Sequence, residues 1–462
     1  MATLKAVRGT RDLLPPETVL WNRIEATARA VFARYNFSEI RTPIFEDTSL
    51  FARSVGEETD IVSKEMYTWD DRERMRSSDV SKSMRSSVVD LRSDEKAKEL
   101  GIEVVKTEWL RGQSLTLRPE NTAGVVRAYI EHKLGESGQL QKLYYIGPQF
   151  RRERPQKGRY RQFWQIGAEV IGPPSAGSES PLRDAEVLEM LATLLDELGI
   201  AGWTLELNSV GSAADRARYN EVLRAALVDV APKMCQDCQR RAVTNPLRVL
   251  DCKVPEDQPI INTLPRITDS LDEESKKHFA AVTAALDAVG VPYKLNSRLV
   301  RGLDYYTRTT FEFTHGGLGA QNALLGGGRY DGLSEAIGGP KAPGIGFAIG
   351  LDRLVLTLQA AELVQKAAPP QGVDAYIAPL GENLNAAALT LARELRRAGL
   401  SIELGDGSFR LKKSFEAADK IARRIVILGE DELQSGILTV KDFATGTQTK
   451  VPRAELAGFL AK

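Results

Sequence analysis

The sequence predicts a multidomain protein of α/β and α+β class, with an antiparallel sheet in a large core and a small α/β domain at the C-terminal end. Three observations support this prediction. Residues 143–171 have the pattern of two strands joined by a basic loop, and residues 299–350 are glycine-rich and strand-like. Beyond residue 373 the pattern is strand, helix and strand. A chain of 462 residues is also too long for a single hydrophobic core.

The composition is ordinary for a soluble globular protein, with 42% hydrophobic and 27% charged residues. The 62 Lys and Arg residues balance 62 Asp and Glu residues, which argues against a protein that simply coats nucleic acid but allows a local basic site. No apolar run approaches the ~20 residues that span a membrane, and the N-terminus lacks a signal-peptide pattern. Three cysteines cannot form a disulfide framework. These features predict a cytoplasmic protein without a membrane segment.

The N-terminal region begins with a predicted amphipathic helix over residues 17–35, preceded by Pro15 and Pro16. Its apolar face contains Leu20, Ile24, Val31, Phe32 and Tyr35. The extended stretch 37–46 follows, and Pro43 indicates that it lies at an edge or an interface, because proline cannot donate to a sheet ladder.

The remaining sequence defines the predicted domain boundaries. Residues 1–365 form the core, which includes a Ser-rich, charged surface insertion at 72–111 and a mostly helical inserted domain at 182–296. The Pro- and Gly-containing stretch 366–372 has the composition of a linker. Residues 373–462 form the C-terminal α/β domain, with a helix predicted over 384–397.

The second strand of the predicted hairpin has two distinct faces. One face is apolar and consists of Trp164, Ile166, Ala168 and Val170. The other face consists of Phe163, Gln165, Gly167 and Glu169. A glycine in the middle of this polar face leaves room for another group to lie against the strand. The sequence therefore predicts a binding surface on this side of the sheet.

The loop between the two strands is strongly basic. Its only acid is Glu153, against the cations Arg151, Arg152, Arg154, Lys157, Arg159 and Arg161. Such a loop is often simply solvated, but the planar guanidinium group also suits phosphate. The adjacent polar strand face favours a phosphate-bearing ligand over the solvated alternative.

Several motifs in this region resemble those of the class II aminoacyl-tRNA synthetases. Phe150–Glu153, the loop and Arg159–Phe163 resemble motif 2 of that class. Gly344–Leu354 resembles motif 3, which presents Arg353, and the stretch around Pro43 resembles motif 1, the dimer-interface element. The resemblance implies a homodimer with an antiparallel catalytic sheet and a C-terminal anticodon-binding domain.

Further motifs resemble the histidyl-tRNA synthetase family within that class. These are the segments 301–313 and 326–333, which are similar to its two histidine-specific motifs, and 117–123, which is similar to its amino-acid-binding loop. The resemblance covers nearly the whole chain and implies a histidine–tRNA ligase. Such an enzyme forms histidyl-adenylate and pyrophosphate from histidine and ATP, and then transfers histidine to the 3′ end of histidine tRNA.

The resemblance implies specific roles for residues that bind ATP. Phe163 and Arg353 would enclose the adenine ring, Arg151 would bind the α-phosphate and Arg159 the outer phosphates. Arg301 would lie opposite Arg151, so that Arg151, Arg301 and Arg353 form the catalytic set. Mg²⁺ would accompany the ATP phosphates without assigned protein ligands. The ATP-binding residues are thus Arg151, Glu153, Arg159, Phe163 and Arg353.

The resemblance also implies a site for histidine. Glu169 would accept the ring N–H, and Tyr305 or Tyr306 would donate to the other ring nitrogen. Glu120, Thr122 and Gln165 would hold the α-amino group. The full predicted histidine site contains Glu120, Asn121, Thr122, Arg151, Gln165, Glu169, Arg301, Tyr305 and Tyr306. Arg154 and Gln156, at the loop tip, would contact tRNA.

Two features depart from the family pattern. Asn121 stands where glycine is usual, and we expect it to preserve the loop because asparagine tolerates left-handed backbone angles. The insertion at 72–111 is longer than the expected turn.

Two other motifs are given simpler interpretations. Cys235, Cys238 and Cys252 have a metal-like spacing, but structural zinc requires four ligands and His278 is distant in sequence, so we expect no metal and leave zinc as the alternative. Gly326–Gly332 lacks the Lys-Ser/Thr of a P-loop, and we expect a tight turn with close backbone packing near the substrate.

Two other functions remain possible. The ATP phosphoribosyltransferase regulatory subunit shares the synthetase core, but would lack the C-terminal domain and the catalytic arginines. A tRNA-binding module without catalysis would lack the ATP-binding pattern. The chain retains Arg151, Arg301 and Arg353, which favours the synthetase.

Overall fold

The computed structural model describes residues 3–56, 59, 61–71, 113–156, 158–303, 305–318, 322–360 and 372–461. The chain divides into two compact units, Met1–Val364 and Gln365–Lys462. The predicted insertion at 72–111 lies outside the described residues, as does the predicted linker at 366–372 except for Gly372. No described helix is long and apolar enough to cross a membrane.

The first unit contains eleven strands among its described residues. They are β1 Ser38–Glu39, β2 Phe45–Asp47, β3 Tyr67–Asp70, β4 Ser114–Leu117, β5 Gln141–Phe150, β6 Gln162–Ile171, β7 Trp203–Ser209, β8 Tyr293–Leu295, β9 Thr307–His315, β10 Ala323–Arg329 and β11 Gly344–Gly350.

Most of these strands form one eight-stranded sheet, in the order β1-β5-β6-β11-β10-β9-β7-β8. Its neighbours are antiparallel except for the two edge pairs, β1 with β5 and β7 with β8. The predicted hairpin is confirmed as β5 and β6, in which Phe150 pairs with Gln162. A separate three-stranded antiparallel sheet has the order β2-β4-β3. The predicted antiparallel core is therefore confirmed.

The α-helices of the first unit are α1 Glu17–Arg34, α2 Thr48–Val55, α3 Thr122–Glu131, α4 Pro181–Glu197, α5 Ala213–Leu227, α6 Gln236–Thr244, α7 Gln258–Ile261, α8 Glu273–Val289, α9 Leu333–Ala336 and α10 Leu351–Ala360. Helix α1 confirms the prediction for residues 17–35, and its apolar face is buried. The extended stretch after it contributes the short strands β1 and β2 on either side of Pro43.

The two faces of β6 behave differently, as its alternation predicts. Ile166, Ala168 and Val170 are buried in the main hydrophobic core, and Trp164 packs against it. This core also contains apolar residues of α1, α4, α8 and α10. The opposite face of β6 is thereby left for polar residues, and the functional groups described below lie there.

The region predicted as an inserted helical domain, 182–296, is divided in the structure. Helices α4 and α8 pack into the main core, and β7 and β8 belong to the eight-stranded sheet. Only the part between them has a hydrophobic cluster of its own, which extends from Val210 to Ile267. The predicted range is too wide, because helical periodicity shows that a face is buried but not which partner covers it.

The second unit contains a five-stranded sheet in the order β13-β12-β14-β15-β16. The strands are β12 Val373–Pro379, β13 Ile402–Leu404, β14 Ala422–Leu428, β15 Ile437–Asp442 and β16 Gln448–Pro452. The helices are α11 Asn385–Arg397, α12 Leu411–Ala418, α13 Glu430–Ser435 and α14 Leu456–Leu460. β12 is parallel to both β13 and β14, and the unit has its own buried core. The predicted α/β character and the helix ending at Arg397 are confirmed.

Candidate active site

A cavity of about 450 Å³ lies on the polar face of the eight-stranded sheet. Its walls come from β6, β9, β10 and β11 and from the loops around them. The structure brings together many of the residues selected from the sequence: Glu120, Thr122, Arg151, Glu153, Arg159, Phe163, Gln165, Arg301, Tyr305, Tyr306 and Arg353. Asn121, Arg154, Gln156 and Glu169 are not among the lining residues.

Four arginines, Arg151, Arg159, Arg301 and Arg353, line this one cavity. Arg151 donates through Nε to the carbonyl oxygen of Pro119 at 2.9 Å. Arg353 donates through Nη1 to the carbonyl oxygen of Ala323 at 2.7 Å. Because each of these contacts is to a neutral carbonyl, it orients the guanidinium without neutralising its charge.

Charge repulsion within this cluster is reflected in Arg353. Burial, and then repulsion from Arg159 and Arg301, lowers the pKa of Arg353 from its usual value. Arg159 itself is paired with Glu153, with 3.0 Å between Nη1 and Oε2. A site with this density of guanidinium groups has a strong preference for an anion, and the planar groups are suited to phosphate.

Arg301 occupies a space that a glycine leaves open. A Cβ atom added to Gly326 on β10 would lie 2.5 Å from Nη1 of Arg301. The guanidinium forms an ion pair with Glu312 on β9. The segment Gly326–Gly328 is therefore part of a strand that admits bulky neighbours, and the expected tight turn is wrong at these residues. Gly328 leaves similar room for the ring of Tyr306.

Phe163 is the second residue of β6 and lines the cavity. The Cζ atom of Arg151 is 5.3 Å from the centroid of its ring, close enough for a cation–π contact. Arg353, predicted for the opposite side of an adenine ring, also lines the cavity.

Glu169 is completely buried at the floor of the site. Its carboxyl group accepts hydrogen bonds from Thr122 Oγ1 and from the Tyr330 hydroxyl, both at 2.7 Å. Burial raises the pKa of Glu169 to about 8. A Cβ atom on Gly346 of the neighbouring strand would lie 1.7 Å from Oε2, so the glycine is required for the carboxyl group to fit.

Glu120 is a second buried carboxyl group, and it lines the cavity. It accepts hydrogen bonds from the backbone N–H groups of Thr122 and Ala123, at 2.7 and 3.0 Å, and thus caps the start of α3. Burial raises the pKa of Glu120 in spite of these donors. Capping fixes the carboxyl group at the edge of the cavity.

Asn121 points away from the cavity. Its Oδ1 accepts hydrogen bonds from Thr42 Oγ1 at 2.6 Å and from Arg118 Nη1 at 3.2 Å. Its φ of −121° is not in the left-handed region, so the expectation that asparagine preserves a left-handed loop is wrong. The residue instead ties the loop to the segment around Pro43.

Tyrosines form much of the wall between the arginines and Glu169. The ring centroids of Tyr305 and Tyr306 are 4.7 Å apart, and Tyr305 lies 6.0 Å from Tyr330. Tyr145 also lines the cavity and fills the space left beside Gly167, where an added Cβ would lie 2.3 Å from its hydroxyl. The room beside Gly167, predicted for a ligand, is therefore occupied by this ring.

Three buried polar atoms of cavity-lining residues have no hydrogen-bond partner among the described residues. They are the hydroxyl oxygen of Tyr145, Oε1 of Gln165 and Nε of Arg301. Buried polar groups in native proteins are usually paired, and an unpaired group requires an explanation such as a ligand. Gln165 offers an acceptor, Arg301 a donor, and the hydroxyl of Tyr145 can act as either.

Sequence reasoning missed several lining residues: Tyr145, Asp251, Lys253, Glu312, Asn322 and Tyr330. Tyr330 was detectable, because it follows the glycine motif directly. Glu312 shares one face of β9 with Thr310 and Thr314, and alternation alone could not assign that face to the cavity. Asp251 and Lys253 come from the helical region and had no sequence signal.

The tip of the basic loop lies outside the cavity. Arg154 and Gln156 are exposed, and the backbone of Gln156 exchanges hydrogen bonds with that of Arg159 at 3.2 and 2.9 Å. These hydrogen bonds join the two sides of the loop near its tip.

Comparisons with known proteins agree with this geometry. Residues 86–354 match the family model for histidyl-tRNA synthetase, and residues 374–462 match that for the anticodon-binding domain. The chain is 68% identical over 458 residues to the histidine–tRNA ligase of Koribacter versatilis, covering 99% of this chain and 96% of the relative. It is 52% identical over 459 residues to that of Solibacter usitatus, covering 99% of each.

A solved structure gives the same result at the level of the fold. The apo histidyl-tRNA synthetase of Staphylococcus aureus is 36% identical and aligns over 100% of both chains with a TM-score of 0.75. The match extends over the antiparallel sheet, the helices and the C-terminal unit. The chain belongs to the histidyl-tRNA synthetase family.

Proposed function

We propose that the central cavity activates histidine with ATP and that the enzyme then transfers the histidyl group to histidine tRNA. The observation that carries this proposal is the convergence of four arginines, the buried carboxyl group of Glu120 and several tyrosines on one cavity. One of these tyrosines, Tyr330, donates a hydrogen bond to the carboxyl group of Glu169 behind the cavity wall. The arginines suit a triphosphate, and the carboxyl and hydroxyl groups suit a substrate with several hydrogen-bonding atoms.

In the first step, the α-carboxylate of histidine attacks the α-phosphorus of ATP, and pyrophosphate leaves. Negative charge increases on the α-phosphate oxygens in the transition state. Arg151 and Arg301 are proposed to stabilise that charge, Arg159 to bind the outer phosphates, and Phe163 and Arg353 to hold adenine. The hydrogen bonds of Arg151 to Pro119 and of Arg353 to Ala323 support this assignment. Groups that are held in place before the reaction need little reorganisation energy to stabilise the transition state.

Mg²⁺ is proposed to enter with the ATP phosphates. Glu153 and Glu312 are paired with the cavity arginines, so they lie near the proposed phosphate positions. Carboxylate oxygens are suitable ligands for this hard cation, which would screen the phosphate charge. We propose these two residues as its ligands.

The histidine subsite is proposed to lie between Glu120, Gln165, Tyr305, Tyr306 and Glu169. Glu120 and Gln165 bind the α-amino group, and a tyrosine hydroxyl donates to one ring nitrogen. Glu169 has no exposed surface, so a ring N–H reaches it by displacing the hydroxyl of Thr122 or Tyr330. A pocket that hydrogen-bonds polar substrate groups rejects analogues lacking them by ~10⁴-fold or more, which makes an editing domain unnecessary.

The second step is attack of the 3′-terminal hydroxyl of tRNA on the histidyl carbonyl, with release of AMP. Arg154 and Gln156 are proposed to contact the acceptor end, and their exposure at the tip of the basic loop supports this role. Arginine can bind phosphate or guanine, and glutamine can contact base edges. Replacing either residue should weaken aminoacylation and leave histidine-dependent ATP–pyrophosphate exchange intact.

The C-terminal unit is proposed to bind the anticodon region. Helix α12 presents the exposed cations Lys412 and Lys413 and follows the exposed Arg410. Arg424, on β14, is instead paired with Asp442 at 2.9 Å and is buried. A chain ending at residue 371 should therefore form histidyl-adenylate but charge tRNA poorly. Loss of both activities would assign this unit a bracing role instead.

We propose that the enzyme is a cytoplasmic homodimer. Exposed apolar side chains around the motif 1 segment support this, since Ile44, Phe45 and Trp69 are 45%, 48% and 40% exposed. Phe45→Glu should shift the protein to a monomer in light scattering. Val243→Glu, at a site that is 78% exposed elsewhere on the unit, should leave the mass unchanged. If Phe45→Glu and Val243→Glu have the same molecular mass in solution, this interface is wrong.

The decisive test of the function is ATP–pyrophosphate exchange driven by each amino acid in turn. Exchange with histidine alone is expected. Binding of histidine without exchange would favour a regulatory paralogue, and retention of Arg151, Arg301 and Arg353 in one cavity argues against that alternative.

A further inference from the structure

The cysteines of the helical region converge on one point. Sγ atoms of Cys235, Cys238 and Cys252 and a carboxylate oxygen of Asp257 all lie within 4.8 Å of one another. These are all the cysteines in the chain. Asp257 follows Cys252 by five residues, and its carboxylate is a fourth potential ligand beside the three thiols.

The separations in this group are close to those of a tetrahedral zinc site. With Zn–S bonds of about 2.3 Å, two sulfurs of a tetrahedron lie ~3.8 Å apart. Sγ of Cys235 is 3.9 Å from Sγ of Cys252, and Sγ of Cys252 is 3.2 Å from Oδ2 of Asp257. The largest separation, 4.8 Å, exceeds the tetrahedral edge by an amount that side-chain rotation can remove.

The surrounding hydrogen bonds suit anionic ligands. The backbone N–H of Cys235 donates to both carboxylate oxygens of Asp257, at 3.1 Å to Oδ1 and 3.3 Å to Oδ2, and Oδ2 also lies 3.2 Å from Sγ of Cys252. The backbone N–H of Val254 lies 3.4 Å from Sγ of Cys252. Contacts of this kind orient metal ligands and stabilise their charge.

The fold of this region also favours a structural metal. Residues 231–261, all of which the structure describes, contain only short elements: the 3₁₀ segments Ala231–Lys233, Pro246–Asp251 and Pro255–Asp257, and the helices α6 and α7. Cys238 and Cys252 are buried in the small cluster that also contains Val249 and Ile261. Small irregular units of this kind are commonly held together by disulfides or metals.

The cluster is connected to the active-site cavity. Cys252 lies between Asp251 and Lys253, which both line the cavity. Arg248 donates through Nη2 to the carbonyl oxygen of Gly302, the residue after Arg301. Anything that fixes residues 248–257 therefore also fixes part of the cavity wall.

We propose that Cys235, Cys238, Cys252 and Asp257 bind one structural Zn²⁺ ion, which holds residues 248–257 against the edge of the active-site cavity. Thiolate ligands select zinc over hard cations such as Mg²⁺. Cys235 is only partly buried and gives the ion a route of entry. The site is separate from the proposed chemistry, because no step of histidine activation uses these residues.

The first experiment measures metal content directly. Full-length protein, reduced, incubated with Zn²⁺ and passed through a desalting column, should retain one zinc per chain by mass spectrometry. Replacement with Co²⁺ should give the intense visible absorption of a tetrahedral thiolate complex. Protein that retains no zinc, or that gives only octahedral Co²⁺ absorption, would overturn the proposal.

The second experiment tests the carboxylate with a matched pair of variants. Asp257→Asn should weaken Zn²⁺ binding by at least about tenfold, the lower limit for changes even outside the direct ligands. Asp237→Asn, which alters an exposed aspartate on α6, should bind Zn²⁺ like the parent. Equal affinity in the two variants would remove Asp257 from the site. Both changes are mild, so the comparison does not depend on cysteine variants and their effect on folding.

The third experiment tests the link to the cavity and does not rely on activity. Removal of zinc by a chelator should increase hydrogen exchange in residues 248–257, and added Zn²⁺ should reverse it. Unchanged exchange would overturn the role in fixing this segment. A Cys235–Cys252 disulfide in the unreduced protein, found as the loss of two hydrogens without bound metal, would replace the zinc proposal with a redox pair.

Discussion

Two buried carboxyl groups on opposite faces of the central sheet differ in their partners: one is paired with a cation and the other is not. Asp184 and Glu169 are both completely buried, and burial raises the pKa of each, to about 6 and about 8. Asp184 is paired with the guanidinium of Arg329, with 2.9 Å between Nε and Oδ1. Glu169 receives hydrogen bonds from Thr122 and Tyr330. Among the described residues, no cation contributes to its pKa.

The difference separates a structural charge network from a binding site. Arg329 is also paired with Asp331 and donates to the carbonyl oxygen of Ser178, so its guanidinium is bound by protein groups. His278 lies beside this network, and burial followed by repulsion from Arg329 lowers its pKa to about 3. The network ties β10 to α4. Glu169 lacks a counter-ion, and a hydrogen bond from an N–H group of a ligand would favour its charged form.

The largest expected effect comes from breaking the structural network. Arg329→Met removes the cation but retains much of the side-chain volume, and leaves Asp184 buried without a counter-charge. The free energy of unfolding should fall by ~3–5 kcal/mol, measured by urea denaturation. In the Arg329→Met, Asp184→Asn double variant, part of the loss should be recovered. Losses that simply add would show that the two charges are not coupled.

The next effect concerns a cation on the ligand side of the sheet. Arg301→Ala should lower histidine-dependent ATP–pyrophosphate exchange by ~10²–10³-fold, as expected when a fixed donor to transition-state charge is lost. The midpoint of urea unfolding should stay near that of the parent. Arg34→Ala, at an exposed ion pair with Glu197, serves as the control and should retain full exchange. Normal exchange in Arg301→Ala would reject its catalytic role.

A smaller and more selective effect is expected at Glu169. Glu169→Gln keeps the shape but removes the charge, and a hydrogen bond to a charged group contributes ~1.5–3 kcal/mol. The KM for histidine should rise about tenfold to a hundredfold, with little change in the KM for ATP. Asp184→Asn should instead lower stability and leave the ratio of the two KM values unchanged. Equal changes in both KM values for Glu169→Gln would mean that Glu169 only shapes the site.

The smallest effect is a dependence on pH. With a pKa of about 8, ligand-free Glu169 is mostly protonated at pH 7, and a bound N–H donor favours the carboxylate. Histidine binding should therefore release protons, and its affinity should rise from pH 7 to 8 by less than about tenfold, the limit for one proton. Titration calorimetry in buffers of different ionisation enthalpy measures this release. Glu169→Gln should abolish it, and an unchanged release would assign the proton to another group.

Much of the architecture and the identity of the cavity follow from the amino-acid sequence itself. The alternation along β6 separates its buried face from its polar face, because successive side chains of a strand point in opposite directions. The motifs around Arg151, Arg301 and Arg353 predicted three cations in one site, and all three line the cavity. Strand alternation is a local pattern, and the motifs are recognised by their order along the chain. Neither requires knowing which helices and strands are in contact.

Contacts between distant parts of the chain required the tertiary structure. The sequence predicted Asn121 as a loop residue of the histidine site. In the structure its side-chain oxygen accepts hydrogen bonds from Thr42 and Arg118, so the side chain points away from the cavity. Glu169 and Tyr330 are 161 positions apart and form one hydrogen bond. Helices α4 and α8 have apolar faces like those of an independent domain, yet they pack into the main core.

The cluster of Cys235, Cys238, Cys252 and Asp257 shows that even contacts between residues close in sequence can require the tertiary structure. The sequence determined the three thiols and their spacing, and a carboxylate five positions beyond the last thiol carried no recognisable pattern. The 3₁₀ turn at Pro255–Asp257 brings that oxygen to the sulfurs. A motif therefore specifies which chemical groups are present, whereas the direction of each group depends on backbone angles and packing that the whole fold sets.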